Sequence, residues 1–273
     1  MDHAPAPLPA AADLLDIAVA VARRAADLAR SMRDRGVEGI STKSTDTDIV
    51  TAADRAVEQQ VIEDLRIRRP DDAVMGEESG AVDGRDSRVR WILDPIDGTV
   101  NYLYGLPVYA VSLAAEVDGV VVAGVVRNPA TGDEWTATRG GGAYSGGRRL
   151  AGSQVTELGQ ALVGTGFGYD AARRAHQARV LAQVLPRVRD VRRMGAAAID
   201  LCLAAEGALD AVYEKGLNLW DYAAGGLVAE EAGLRVTGLA GAPPSGEMVV
   251  AAPEALYRPL HDLLVAFDAT GGP

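Results

Sequence analysis

With a single cysteine, Cys202, in 273 residues, the chain can form no intrachain disulfide and no cysteine-rich zinc site. The apolar stretch Ile199-Asp200-Leu201-Cys202-Leu203 around it reads as the setting of a buried structural thiol rather than a nucleophile. Histidine is scarce too: His3, His176 and His261 are the full set. None lies in the acidic motifs described below, so a phosphohistidine route has no carrier. No apolar run approaches the roughly 18 residues a membrane-spanning helix needs, and no membrane partner is expected. Basic charge is in deficit, 27 Lys and Arg against 38 Asp and Glu, for a net charge of −11. That balance repels nucleic-acid phosphates and anionic lipid. The arginines scattered from Arg173 to Arg193 read as a solvated helical face, so nucleic acid is not an expected partner. The first fifteen residues carry no basic segment and no apolar block before a small-residue cleavage site, and a cytoplasmic location is expected.

The remainder is ordinary for a globular protein, with 48% hydrophobic and 24% charged residues. Residues 1–10, rich in proline, read as a disordered lead-in. Residues 11–268 read as one domain without a boundary or repeat, and 269–273 as a C-terminal tail. Leu14, Ala18, Val21, Ala25, Leu28 and Met32 recur at helical spacing and predict an amphipathic helix ended by Gly36 and Gly39. A second helix is predicted from Ala52 to Arg69, capped by Thr51, with Ala53, Val57, Val61 and Leu65 buried and Pro70 as its stop. Short strands follow: Ala73 to Met75, then Val89 to Leu93 with Val89, Trp91 and Leu93 facing opposite to Arg88, Arg90 and Ile92. The Val-, Thr- and Gly-rich stretch from Val108 to Leu150 predicts an antiparallel meander. From Ala161, strands and helices alternate: helices at 171–188, 196–206, 222–232 and 253–267, strands at Ala161–Phe167, Val191–Met194, Leu209–Glu214 and Met248–Ala251. Such alternation implies layers of sheet and helix, an α+β fold.

The chemistry lies in acidic residues at the ends of these elements. Asp94 and Asp97 flank Pro95, and Gly98 lets the chain approach an anion before a helical turn at Thr99. Two carboxylates at this spacing can share cations, and the amides of Gly98 and Thr99 can hold a phosphoryl oxygen. An ordinary acidic turn would look the same locally. Glu77 and Glu78 end a strand and could be a solvated turn; Asp221 opens a helix and could be its N-cap. Ligands that are all oxygen, with neither Cys nor His, select a hard ion such as magnesium over zinc.

Taken together, GEES at Gly76–Ser79, DPIDGT at Asp94–Thr99 and WDYAAG at Trp220–Gly225 resemble, in order and separation, the three signature motifs of the inositol monophosphatase family. Lys43 and Asp54, Arg192–Cys202 and Tyr213–Asp221 are similar to further family segments, and the resemblance runs from about Ser41 to Val265. It implies a layered αβαβα sandwich of the inositol monophosphatase and fructose-1,6-bisphosphatase type. It also implies Mg2+-dependent, lithium-sensitive hydrolysis of inositol monophosphate to myo-inositol and phosphate, by water activated at the metal, in a homodimer.

Position by position, the resemblance puts Glu77, Asp94 and the carbonyl of Ile96 on one magnesium, and Asp94, Asp97 and Asp221 on a second. A weaker third ion leans on Glu77, with Glu78 and Lys43 in support. Glu77, Thr99 and Asp54 orient the attacking water. Asp97, Gly98, Thr99, Asp221, Glu214 and the segment Gly195 to Ala197 meet the substrate. Ala196, where relatives often carry Ser or Thr, and Leu234 depart from the pattern without touching a ligand. Histidinol phosphatase, fructose-1,6-bisphosphatase and nucleotide 3'-phosphatase activities share this metal core. A regulatory partner of RNA-handling or transcription machinery is the reading from outside enzymology.

Overall fold

Leu14, Ala18, Val21 and Ala25 are fully buried along α1 (Ala11–Arg35), with Leu28 and Met32 half-buried near its end. The computed structural model describes residues 9–43, 49–82, 84 and 88–272. The expected lead-in therefore lies outside the described residues except for Pro9 and Ala10. After a small antiparallel pair, β1 (Ser41–Thr42) and β2 (Ile49–Val50), comes α2 (Ala52–Arg68). Thr51 caps α2 by accepting the Ala53 N–H at 3.2 Å. Its apolar stripe is the predicted one, but Asp54, Glu58 and Asp64 are buried beside it.

The large sheet is built from β3 (Ala73–Gly76), β4 (Gly80–Val82), β5 (Val89–Asp97), β6 (Ala110–Val117), β7 (Val120–Arg127), β8 (Glu134–Thr138), β9 (Gly142–Ser145) and β10 (Arg148–Arg149), with the short helix α3 (Thr99–Tyr104) between β5 and β6. Its order is β10-β9-β8-β7-β6-β5-β3-β4; β3 and β5 run parallel and every other pair antiparallel. The meander is as predicted, and Asp118 and Gly119 turn with positive φ of 52° and 82°. The alternation predicted for β5 is not: Ile92 is as buried as Trp91 and Leu93. Helices cover both faces of this sheet, so neither face of the strand meets water.

The second sheet contains β11 (Leu162–Thr165), β12 (Asp190–Arg192), β13 (Ala211–Glu214), β14 (Arg235–Thr237) and β15 (Val249–Ala252), in the order β12-β11-β13-β15-β14. Four helices accompany it: α4 (Ala171–Val184), α5 (Ala197–Glu206), α6 (Leu219–Glu231) and α7 (Glu254–Ala266). The helix predicted through Val188 stops at Val184, and Pro186 sits in a 3-10 turn after it. The predicted strand Val191–Met194 lies earlier, at β12, which frees Arg193 and Met194 for the loop before α5. The helix predicted from Tyr222 begins at Leu219, so its N-cap is Asn218 and Asp221 lies in its first turn.

Three cores separate the layers. Val21, Val57, Val61, Trp91 and Leu113 join α1 and α2 to one face of the large sheet. Ile92, Val126, Leu201, Cys202, Leu227 and Val212 fill the space where α5 and α6 lie between the two sheets. Val180, Val184, Val250, Leu256 and Leu260 join α4 and α7 to the outer face of the small sheet. Each fully buried Leu, Val or Ile stabilises this arrangement by about 1.5–3 kcal/mol relative to exposure. The architecture is the expected αβαβα sandwich. It brings the ends of β3 and β5 together with the starts of α5 and α6.

Cys202 is fully buried in the middle layer, and burial pushes its thiol pKa up. β6 is buried along its whole length and β7 along its second half, from Ala123 to Val126. Most of the apolar stretch Val108–Val126 is thus taken up by the chain's own core, with Val120 left exposed at the β6–β7 turn.

Candidate active site

In a regular strand Asp94 and Asp97, three residues apart, would point to opposite faces. The pairing of β5 with β6 shifts register between them, where Pro95 cannot donate to the ladder, and this irregularity turns both carboxylates into one cleft. Gly98 then reverses the chain with φ +89°. A Cβ there would stand 3.0 Å from the Gly195 carbonyl oxygen and 3.1 Å from that of Val108, so glycine permits both the left-handed turn and the close approach.

The cleft holds about 450 Å³. Glu77, Asp94, Ile96, Asp97, Gly98, Thr99, Gly195, Ala197, Glu214, Asp221 and Lys43, all singled out in the sequence, line it. Two do not. Asp54 is buried behind Thr99, whose hydroxyl donates to Oδ1 of Asp54 at 3.0 Å. Glu78 faces Lys43, whose Nζ lies 2.5 Å from Glu78 Oε1 and 2.8 Å from Glu77 Oε1. Burial works against the lysine charge, but the two glutamates outweigh it and its pKa is raised.

Three of the carboxylates also do structural work. Asp97 accepts the N–H groups of Ala197 at 3.2 Å and Ala198 at 2.7 Å, at the positive end of α5. The Ala197 amide is therefore spent on Asp97. Asp94 accepts the Ile96 N–H at 3.0 Å, and Asp221 accepts the Asn218 N–H at 2.6 Å.

Burial and mutual repulsion set the electrostatics. Burial, then Glu77, Asp97 and Asp221, drives the Asp94 pKa well above the ordinary carboxylate range. Burial lifts Asp97 to about 7 against the pull of the Ala198 and Ala197 amides. Asp221 is raised by burial and by Asp97. Glu214, with some solvent access but its carboxyl deep in the wall, is raised to about 8 by burial and Asp97, with Arg193 opposing. A like-charged pair at 4 Å costs about 4 kcal/mol at an effective dielectric near 20.

Among the described residues, no three acidic, His or Cys side chains stand converged as ready ligands. The carboxylates share a wall: Glu77 lies within hydrogen-bond reach of Asp94, while backbone donors of α5 and of the α6 start hold Asp97 and Asp221. An all-oxygen, multiply anionic wall of this kind fits a hard divalent cation, which would relieve the repulsion.

Sequence reading named none of Phe167, Tyr169, Asp170, Arg173, Arg193 and Asn218 as a site residue, although all line the cleft and Arg193 and Asn218 lie in the segments it likened to the family's. Arg193 was read as part of a strand. Asp170 carried a usable signal, since it caps α4 by accepting the Arg173 N–H at 2.8 Å.

The sequence matches the inositol monophosphatase family model over residues 11–266. An inositol-1-monophosphatase SuhB of Mycobacterium tuberculosis is 44% identical, over 98% of this chain and 96% of that one. The Nus factor SuhB of Pasteurella multocida is 37% identical over 92% and 95%. Among solved structures, the extragenic suppressor protein suhB from Bartonella henselae superposes with a TM-score of 0.87 at 34% identity, covering 92% of this chain and 98% of that one. On its motifs, its cleft and these relatives, the chain is a phosphatase that belongs to the inositol monophosphatase family.

Proposed function

We propose that the cleft hydrolyses inositol monophosphate to myo-inositol and phosphate, with Mg2+ held by Glu77, Asp94, the carbonyl of Ile96, Asp97 and Asp221. The observation that carries this reading is the wall shared by Glu77, Asp94, Asp97 and Asp221, whose charges repel in a largely buried cleft. Held by these residues, divalent cations would offset that repulsion and would supply polarisation of the phosphoryl oxygens and a lowered pKa for water. The chain's own groups do the positioning. Thr99 commits its proton to Asp54 or to the Ile96 carbonyl, 3.1 Å away, which leaves its oxygen free to accept a hydrogen bond from the attacking water. Glu77, which accepts from Lys43 at 2.8 Å and lies against Asp94, would orient the same water. Glu214, Gly195 and Arg193 line the part of the wall suited to a polyol's hydroxyls.

The M. tuberculosis relative bears the matching name. The regulatory alternative is favoured by the P. multocida relative, named a Nus factor. We also infer a cytoplasmic homodimer. Among the described residues, no helix is long and apolar enough to cross a membrane, and Tyr104 and Leu106, 75% and 53% exposed, offer apolar surface to a second copy.

The deciding experiment is phosphate release from inositol 1-phosphate, histidinol phosphate, fructose 1,6-bisphosphate and a nucleotide 3'-phosphate, with Mg2+ and with chelator. Inositol 1-phosphate should lead, and only with Mg2+. Full turnover in chelator, or preference for another ester, would reject the reading.

A further inference from the structure

Helix α2 reaches both acidic loops of the cleft. Asp54 and Glu58 are one turn apart on it and share a face, and both are buried, at 0% and 3% exposure. Asp54 holds the loop after β5 through the Thr99 hydroxyl. Glu58 holds the loop after β3: its Oε2 accepts the Glu78 N–H at 2.9 Å and its Oε1 accepts the Ser79 N–H at 2.7 Å.

A buried carboxylate is costly unless it is hydrogen-bonded. Charge-assisted bonds to two consecutive amides are strong and orient the group they hold. Gly76 makes room for the arrangement, because a Cβ there would stand 2.4 Å from Glu58 Oε2 and 2.6 Å from its carboxyl carbon. Glu77 lies between Gly76, beneath the Glu58 carboxylate, and the two amides that carboxylate grips.

We propose that Glu58 is a positioning residue for the Glu77 turn, tying that turn to the helix that also ties Thr99, so that α2 sets the spacing between the two ligand-bearing loops. The inference rests on the metal-dependent reading of the cleft. Glu58 touches neither substrate nor ion in this scheme. Its effect passes through the backbone of Glu78 and Ser79.

The test uses three full-length variants. Glu58→Gln keeps the shape but turns one acceptor into a donor against a backbone N–H. Gly76→Ala leaves Glu58 intact and drives a methyl into its carboxylate. Val57→Ala trims a fully buried neighbour on the same helix and serves as the control for general destabilisation. Amide hydrogen exchange is measured without metal, and Mg2+ binding by calorimetry.

In Glu58→Gln and Gly76→Ala, exchange at Glu78 and Ser79 should accelerate by about tenfold more than at amides inside α2. Their Mg2+ dissociation constants should rise about tenfold, or about 1.4 kcal/mol. Val57→Ala should melt lower yet bind Mg2+ as the parent does. Should Glu58→Gln fail to fold, Gly76→Ala decides alone.

Variants that bind Mg2+ as tightly as the parent, with both amides still protected, would overturn the role of Glu58 alone. A parent that takes up no Mg2+ would overturn the reading of the cleft and this role with it.

Discussion

The hydroxyl of Thr99 meets Oδ1 of Asp54 at 3.0 Å across 45 residues of chain, and Oδ2 of Asp54 accepts both the N–H and the hydroxyl of Thr51, at 2.8 and 2.6 Å. Both carboxylate oxygens are thereby committed. Asp54 reaches the cleft by hydrogen bond through Thr99.

Thr99→Val removes the oxygen that would hold water and leaves an Asp54 oxygen without its donor. Turnover should fall by about 10²–10⁴-fold, the range of a lost proton-positioning group. Thr99→Ser keeps the hydroxyl and should retain most activity. Steady-state kinetics of both variants check this, and equal losses would refute the hydroxyl's role.

Asp94→Asn preserves shape while removing a carboxyl that Glu77, Asp97 and Asp221 all repel. In chelator it should melt at or above the parent temperature, because a like-charge repulsion is relieved. With saturating Mg2+ the parent should regain the lead by linkage, and the variant's turnover should fall by several orders of magnitude, on the order of 10³ or more. Melting curves in the two buffers test the crossing; a uniform loss of stability would mark Asp94 as structural only.

Glu214, raised to about 8, and Asp97, raised to about 7, keep their protons in the folded chain at pH values where the unfolded chain releases them, near roughly 4. The folded state is then the stronger proton binder, so stability in chelator is full below the unfolded values and is lost as pH rises towards about 8. Arg-paired Asp118, Glu134 and Asp190, whose pKa values are lowered, act oppositely and only at more acid pH. In EDTA the protein should melt higher at pH 5 than at pH 8, and Glu214→Gln should narrow the gap. A parent that gains stability over that interval would contradict the argument.

Light scattering at micromolar concentration should return twice the 28.4 kDa chain mass. Leu106→Glu, which puts a charge on exposed apolar surface, should shift the protein towards monomer. A parent of single-chain mass would refute the dimer.

Local pattern was legible: the α1 and α2 stripes follow a helical period that survives without tertiary knowledge, and Asp94, Asp97 and Glu77, which line one cleft, stand in short motifs. What escaped depends on distant contacts. Ile92 looks solvent-facing until helices cover the second face of its sheet, and the three-residue β14 carries too little pattern to be seen. Glu58 resembles any surface glutamate on a helix until the Glu78 and Ser79 amides arrive from the neighbouring loop. Asp200, also buried and with neither carboxylate oxygen hydrogen-bonded among the described residues, sits in an otherwise apolar helical run and gives no sign of itself.

Cys202, fully enclosed between the sheets with its thiol pKa raised, gives the protein a built-in clock. A thiol reagent added in excess reaches no other cysteine and finds this one shielded, so alkylation proceeds only as fast as the middle layer opens. Pulsed labelling read by mass spectrometry would time that opening in Asp94→Asn, Glu214→Gln or Glu58→Gln without a dye, a tag or an added residue.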